Sequence, residues 1–316
     1  AMDDPAPEKK PGEDTVLENA RWQAEHLKDF GANTIWVDWE WYHSDFSGVG
    51  KPGIDTFHPD PVRYPHGLAH VAAEIKKLGF LPALWVGFTN DPTENAYIRE
   101  HPETVLAQKP IWCGQYFMDL THPLTLSEYL PRAFRQVIDW GYQALKWDCL
   151  PSQIQMCDNF HDNFADPSKS TEEAMLGAAE VARKVVGPDF YMLYCAGLSD
   201  RDLNIACAKF DAARIGGDIF KWEDFISQCI ARVMRLYAFH NVVFYADPDN
   251  VILRPKFNTY DQALSRLSFV SLLGLPVTLG DNLPDLPADR VELLRRGIPS
   301  LTTHPMDIRS TAHDYR

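Results

Sequence analysis

One repeated pattern constrains this chain more than any other. An amphipathic stretch ends at a glycine, and an apolar run follows within a few residues. Residues 24–30 meet Gly31 and lead into 34–39, and residues 68–78 meet Gly79 and lead into 81–86. Residues 133–140 meet Gly141 before 144–147, and residues 174–186 meet Gly187 before 190–194. Glycine just past a helix end supplies the left-handed residue that stops the helix. Runs that are apolar throughout, rather than alternating, are expected of strands covered on both faces. Helices alternating with such strands predict parallel βα units.

Three further apolar runs, at 210–215, 241–246 and 276–279, raise the expected strands to seven. A closed (β/α)8 barrel of the TIM type needs eight, and 316 residues suit one such domain with loop insertions. Nothing before Val16 reads as a strand, so the first strand is expected to be missing. The chain instead opens on a helix over residues 16–30 with Thr15 as N-cap. An N-terminal segment or a partner is expected to cover the resulting gap. Residues 1–14 are polar and Pro-rich and read as a flexible lead-in, leaving 15–316 as the barrel domain. Residues 89–131 and 151–171 follow strands and are expected to be loops on the active face.

A hydrophobic content of 45% is enough for a large core. The net charge of −14 argues against a nucleic-acid or anionic-membrane partner. No apolar run is long enough to cross a bilayer. The six cysteines show no zinc spacing, and most are expected to be reduced, with Cys149 and Cys157 the pair expected if a disulfide exists. The compartment stays open. His43, His58, His161 and His304 do not suggest a metal centre, so no metal and no other cofactor is expected.

The chemistry is expected where strands end. Lys146-Trp147-Asp148, Arg214-Ile215-Gly216-Gly217-Asp218 and Asp247-Pro248-Asp249 each place an acid at or just past an apolar run. Acids gathered at the C-terminal ends of parallel strands suggest a barrel enzyme, and two of them acting together suggest glycoside chemistry. Lys146 lies two residues before Asp148 and so shares its face. Gly216 and Gly217 are expected to let the backbone turn sharply.

These motifs resemble the catalytic barrel of the α-galactosidase clan, the retaining glycoside hydrolases of families 27 and 36. The Lys-aromatic-Asp pattern of strand four is similar to Lys146-Trp147-Asp148, and the Arg-x-x-x-Asp motif of strand six to Arg214 and Asp218. Asp247-Pro248-Asp249 and the Cys-x-Gly turn at Cys195-Ala196-Gly197 match strands seven and five. The resemblance covers residues 16–299. It implies Asp148 as nucleophile and Asp218 as acid/base. It further implies Asp38, Glu40, Trp41, Lys146, Cys195, Gly197, Arg214 and Asp249 as binding residues for an oligosaccharide or glycoconjugate. The clan's second strand often ends in two adjacent acids, whereas here it reads Asp38-Trp39-Glu40-Trp41. That departure admits pyranoses other than galactose, among them N-acetylamino and pentopyranose analogues. Transglycosylation, as in raffinose-synthase relatives, and sugar binding without turnover are the alternative functions.

Overall fold

Six of the seven apolar runs form one parallel sheet in sequence order: β1 (Thr34–Val37), β2 (Leu81–Val86), β3 (Ala144–Trp147), β4 (Tyr191–Cys195), β5 (Ala212–Arg214) and β6 (Tyr245–Asp247). Beyond β6 the chain bends at Asp249, whose φ is 75°, and Asn250–Val251 then pairs in parallel with β7 (Thr278–Leu279). The computed structural model describes residues 12–42, 47–197, 199–301 and 303, the side chains of Glu40 and Asp200 excepted.

The register sorts side chains into layers inside the curved sheet. Trp36, Ala83, Ala144 and Tyr191 are direct cross-strand partners. One step toward the C-terminal ends, Trp85, Lys146 and Leu193 align, and Leu193 in turn aligns with Ala212 and Tyr245. The next layer holds Cys195, Arg214 and Asp247. Period-two alternation sends these residues to one face and leaves the other for the helices. Trp36, Tyr191, Leu193, Cys195 and Ala212 accordingly form a small apolar cluster of their own, separate from the large core between sheet and helices.

Gly31, Gly79, Gly141 and Gly187 all stand past helix ends with φ of 102°, 80°, 91° and 89°, as the repeated pattern predicts. The first helix starts earlier than expected, at Glu13 with Gly12 before it, so Thr15 lies inside it and is not its N-cap. The insertion after β2 is not a plain loop. It folds into an antiparallel sheet of Asn90–Asp91, Gly114–Met118 and Val105–Ile111. The insertion after β3 is the helix Leu150–Asn159 and a short turn.

Among the described residues, no strand joins β7 to β1. The outer layer nevertheless closes across that interval. Asn19 of the first helix donates to the Asn282 side chain at 2.8 Å and accepts the Leu283 N–H at 2.8 Å. Arg295 of the last helix, Ala288–Gly297, donates to the His26 carbonyl at 3.4 Å. Among the described residues, no helix is long and apolar enough to cross a membrane.

Candidate active site

The acids expected to carry chemistry stand past the C-terminal ends of β3, β5 and β6. Asp148 follows β3, and its backbone N–H still bonds the Val86 carbonyl of β2 at 2.9 Å. The next residue, Cys149, has φ of 67°, an uncommon conformation for a non-glycine residue. That turn directs the Cys149 N–H back onto Asp148 Oδ1 at 2.6 Å and starts the helix Leu150–Asn159. Asp148 Oδ2 accepts from Trp85 Nε1 at 3.0 Å. Both carboxylate oxygens are therefore fixed by donors from different elements, and the group remains only half-buried.

Arg214 ends β5 between its register partners Cys195 and Asp247 and is only 3% exposed. Its Nη2 reaches Asp218 at 2.8 Å and Asp249 at 2.6 Å, while Nη1 points at the Cys195 sulfur at 3.9 Å. Burial alone would pull the guanidinium down, but Asp249, Asp247 and Asp218 outweigh it and raise its affinity for the proton. Burial pushes the Asp249 carboxyl up to about 6 against the pull of Arg214. Its Oδ2 also accepts the Ile219 N–H at 2.7 Å, and its own N–H donates to Asp247 at 2.9 Å. Asp218 differs in having its side chain 74% exposed, held by Arg214 above the strand end.

Lys146 points toward Asp38 at 3.6 Å. Burial lowers the ammonium, yet Asp38 and the nearby Asp148 more than compensate and raise it. Asp38 also accepts the Trp39 N–H at 3.0 Å. The cysteine thiols at this end are buried. Burial, then the charge of Asp148, pushes Cys195 well above its ordinary range. Burial and the Cys113 thiol beside it do the same to Cys149.

Asp38, Lys146, Asp148, Cys195, Arg214, Asp218 and Asp249 are thus brought to one end of the sheet. Within that group, Asp249 and Cys195 are buried behind Arg214 and hold it in place. Gly197 turns with φ of 68°, and an added Cβ would meet the Gly216 carbonyl group at 3.4 Å. Gly216 is required for space rather than for an unusual turn, because a Cβ there would lie 2.0 Å from the Gln228 carbonyl oxygen.

Trp41 is a correction. It is fully buried, donates from Nε1 to the Trp85 carbonyl at 2.8 Å and packs edge-on against Trp140, so it braces β2 and does not line the site. The Glu40 side chain lies outside the described residues. Most cysteines were expected to be reduced, and the Cys149–Cys157 pair, named only in case a disulfide existed, does not form. All six cysteines are free thiols, and the Cys157 sulfur accepts from Gln153. Asp281, just past β7, is buried and accepts the Leu253 N–H at 2.6 Å. Trp85 was not among the expected site residues. Its register with Lys146 is the sign that it faces the same interior as the acids. Asp247 was likewise expected only as part of a motif, whereas its register with Arg214 makes it a flank of the site.

No protein-family model matches the chain, and neither does any curated protein sequence. Solved structures do match. A GH27 β-L-arabinopyranosidase from Geobacillus stearothermophilus superposes with a TM-score of 0.69 at 17% identity, over 90% of this chain and 71% of that one. An α-galactosidase from Thermus thermophilus, solved with p-nitrophenyl α-D-galactopyranoside, gives 0.64 at 18% identity, over 91% and 58%. The α-galactosidase I of Mortierella vinacea gives 0.60 at 16% identity, over 91% and 67%. The chain has the fold of these glycosidase barrels. Its parallel strands in sequence order are those of a (β/α)8 barrel from which one strand is absent among the described residues. It spans little more than half of the Thermus chain and about two thirds of the other two.

Proposed function

We propose that this chain is the catalytic barrel of a retaining exo-glycosidase that removes a terminal α-linked galactose or a related pyranose. One observation carries the reading. Asp148 is fixed through both oxygens at the end of β3, and Arg214 holds an exposed Asp218 two strands later. In the reaction we infer, Asp148 attacks the anomeric carbon as the glycosidic bond breaks, and Asp218 gives its proton to the departing oxygen. Asp218 then takes a proton from water, which attacks the same carbon and releases Asp148. Such pairs work at a separation of about 5 to 5.5 Å. Lys146 and Asp38 supply a donor and an acceptor for sugar hydroxyls.

Trp39 shapes the specificity. It is buried and offers no carboxylate where the clan often has a second acid. A sugar with galactose ring stereochemistry that asks less of the C4 and C6 corner fits such a pocket, and β-L-arabinopyranose, which lacks the C6 hydroxymethyl group, is one.

The test is a panel of aryl α-D-galactosides, α-N-acetylgalactosaminides, α-glucosides and β-L-arabinopyranosides, with product stereochemistry followed by NMR. Retention is expected. Asp148→Gly should abolish turnover, and azide should restore part of it as a glycosyl azide of inverted configuration. Asp218→Ala should slow substrates with poor leaving groups most. Near wild-type rates for both variants on every substrate would refute the assignment.

A further inference from the structure

A second cluster uses none of the strand-end acids, and its donor set is that of a metal site. His66 immediately precedes the helix Gly67–Lys77, and His70 stands one turn further along, so both rings share a face. Their centroids are 5.0 Å apart. Glu13, the first residue of the helix Glu13–His26, reaches across from the neighbouring element. Its Oε1 lies 2.7 Å from His66 Nδ1 and 3.7 Å from His70 Nε2. One ligand atom from each of the three residues falls within 4.8 Å of the others.

We propose that Glu13, His66 and His70 bind a divalent transition-metal ion of the zinc class. Zinc takes imidazole nitrogen and carboxylate oxygen at about 2.0 to 2.2 Å, which in tetrahedral geometry sets its ligand atoms about 3.4 Å apart. The His70–Glu13 separation of 3.7 Å is close to that, the His66–Glu13 contact must open from 2.7 Å, and no pair lies beyond 4.8 Å. Two imidazoles and one carboxylate suit zinc, copper or nickel. Calcium and magnesium require more oxygen ligands than the cluster offers. Three protein ligands leave further positions for water.

The surroundings favour entry of an ion. The Glu13 side chain is 6% exposed, and among the described residues its ion-pair partners are the two histidines. Their rings are 68% and 40% exposed, so a hydrated ion can reach them. Two features limit affinity. The carboxylate already accepts the His66 backbone N–H at 3.2 Å, and helix N-termini favour anions over cations. A micromolar site is therefore expected rather than the far tighter binding of zinc-finger sites. Its effect would be structural. The ion would tie the first helix, which carries Asn19 over the interval between β7 and β1, to the helix that follows β1. Histidines four residues apart at a helix start are the sequence signal for such a site.

The experiment uses the tag-free chain, stripped with EDTA and returned to metal-free buffer. Zinc is titrated by calorimetry, and the melting temperature is read at saturating zinc. We expect one zinc ion per chain and a rise of a few degrees. His66→Gln and His70→Gln should each weaken binding at least tenfold and abolish most of the rise. His58→Gln, an exposed histidine elsewhere, should do neither. Both site histidines are solvent-accessible, so these variants should fold, and far-UV circular dichroism checks that they do. Absence of stoichiometric binding, or zinc binding unchanged in both variants, would overturn the site in favour of a purely hydrogen-bonded His–Glu–His contact.

Discussion

At the scale of single residues, the candidate site depends on groups that orient acids as much as on the acids. Trp85 illustrates this, since its indole N–H is one of two donors fixing Asp148. Trp85→Phe keeps an aromatic ring but deletes the donor. A hydrogen bond to a charged acceptor is worth about 1.5 to 3 kcal/mol, so kcat/KM should fall at least about tenfold, mainly through kcat. In an Asp148→Gly background the same change should leave azide-rescued turnover untouched, because the group it positions is gone. A loss of equal size in that background would show that Trp85 acts through general packing. A second residue-scale effect concerns Asp91, buried in the insertion after β2. Burial, then the charge of Asp55, raises its carboxyl from the ordinary 3.8 to about 7. The folded state therefore holds this proton more tightly than the unfolded state. Its stabilising contribution is complete below pH 3.8 and declines as pH rises towards about 7, by at most about 1.4 kcal/mol per pH unit. Asp249, raised to about 6, adds a slope of the same sign. Urea midpoints measured from pH 4 to 8 should fall with pH in the wild type and fall less steeply in Asp91→Asn. Equal slopes would mean that Asp91 titrates normally. The positions of Asp148, Arg214 and Asp218 were legible in the sequence because strand ends are marked by composition. The roles of Trp85 and Trp41 were not, because alternation within a strand does not say which face looks into the barrel.

At the scale of elements, glycines do two different jobs, and substitution separates them. Gly187 ends the helix Thr171–Val186 with φ of 89° and ψ of 169°, a region that side chains other than glycine rarely enter. An added Cβ there meets nothing within 4 Å, so Gly187→Ala isolates the backbone strain. A loss of about 1 to 3 kcal/mol is expected. Gly177 lies inside the same helix, also with open space around its Cβ position. There alanine should stabilise by up to about 1 kcal/mol, because glycine gives up more conformational freedom on entering a helix. Chemical denaturation of the two variants should therefore shift in opposite directions. A shared direction would mean that the helix end is not set by Gly187. The helix stops were readable in advance because a glycine stop is a local rule. The antiparallel sheet of the insertion was not, because Val105–Ile111 and Gly114–Met118 turn at Trp112-Cys113, a pair without the usual Asn-Gly or Asp-Gly hairpin signal, and Asn90–Asp91 joins them from across the intervening segment.

At the scale of the whole molecule, the interval between β7 and β1 is the main departure from a closed ring. The helix layer compensates for it through the contacts that Asn19 makes with Asn282 and Leu283. Asn19→Ala removes both bonds at a partly buried seam, and a cost of about 1 to 3 kcal/mol is expected, seen as a drop of a few degrees in melting temperature. Activity per folded molecule should not change, because the seam is distant in sequence and contact from Asp148 and Asp218. Unchanged stability would mean that the seam contributes little and that other contacts hold the layer closed. By itself, the sequence determined that this chain builds parallel βα units, how many barrel strands it has to offer, and which acids stand at their ends. Those features follow from periodicity, glycine stops and strand-end composition, all of which act within a few residues. Only the tertiary structure decided that Arg214 gathers Cys195, Asp218 and Asp249, that Trp85 fixes Asp148, and that Glu13 meets His66 and His70. Those contacts join segments far apart in the chain, and the register between strands and the packing of helices bring them together.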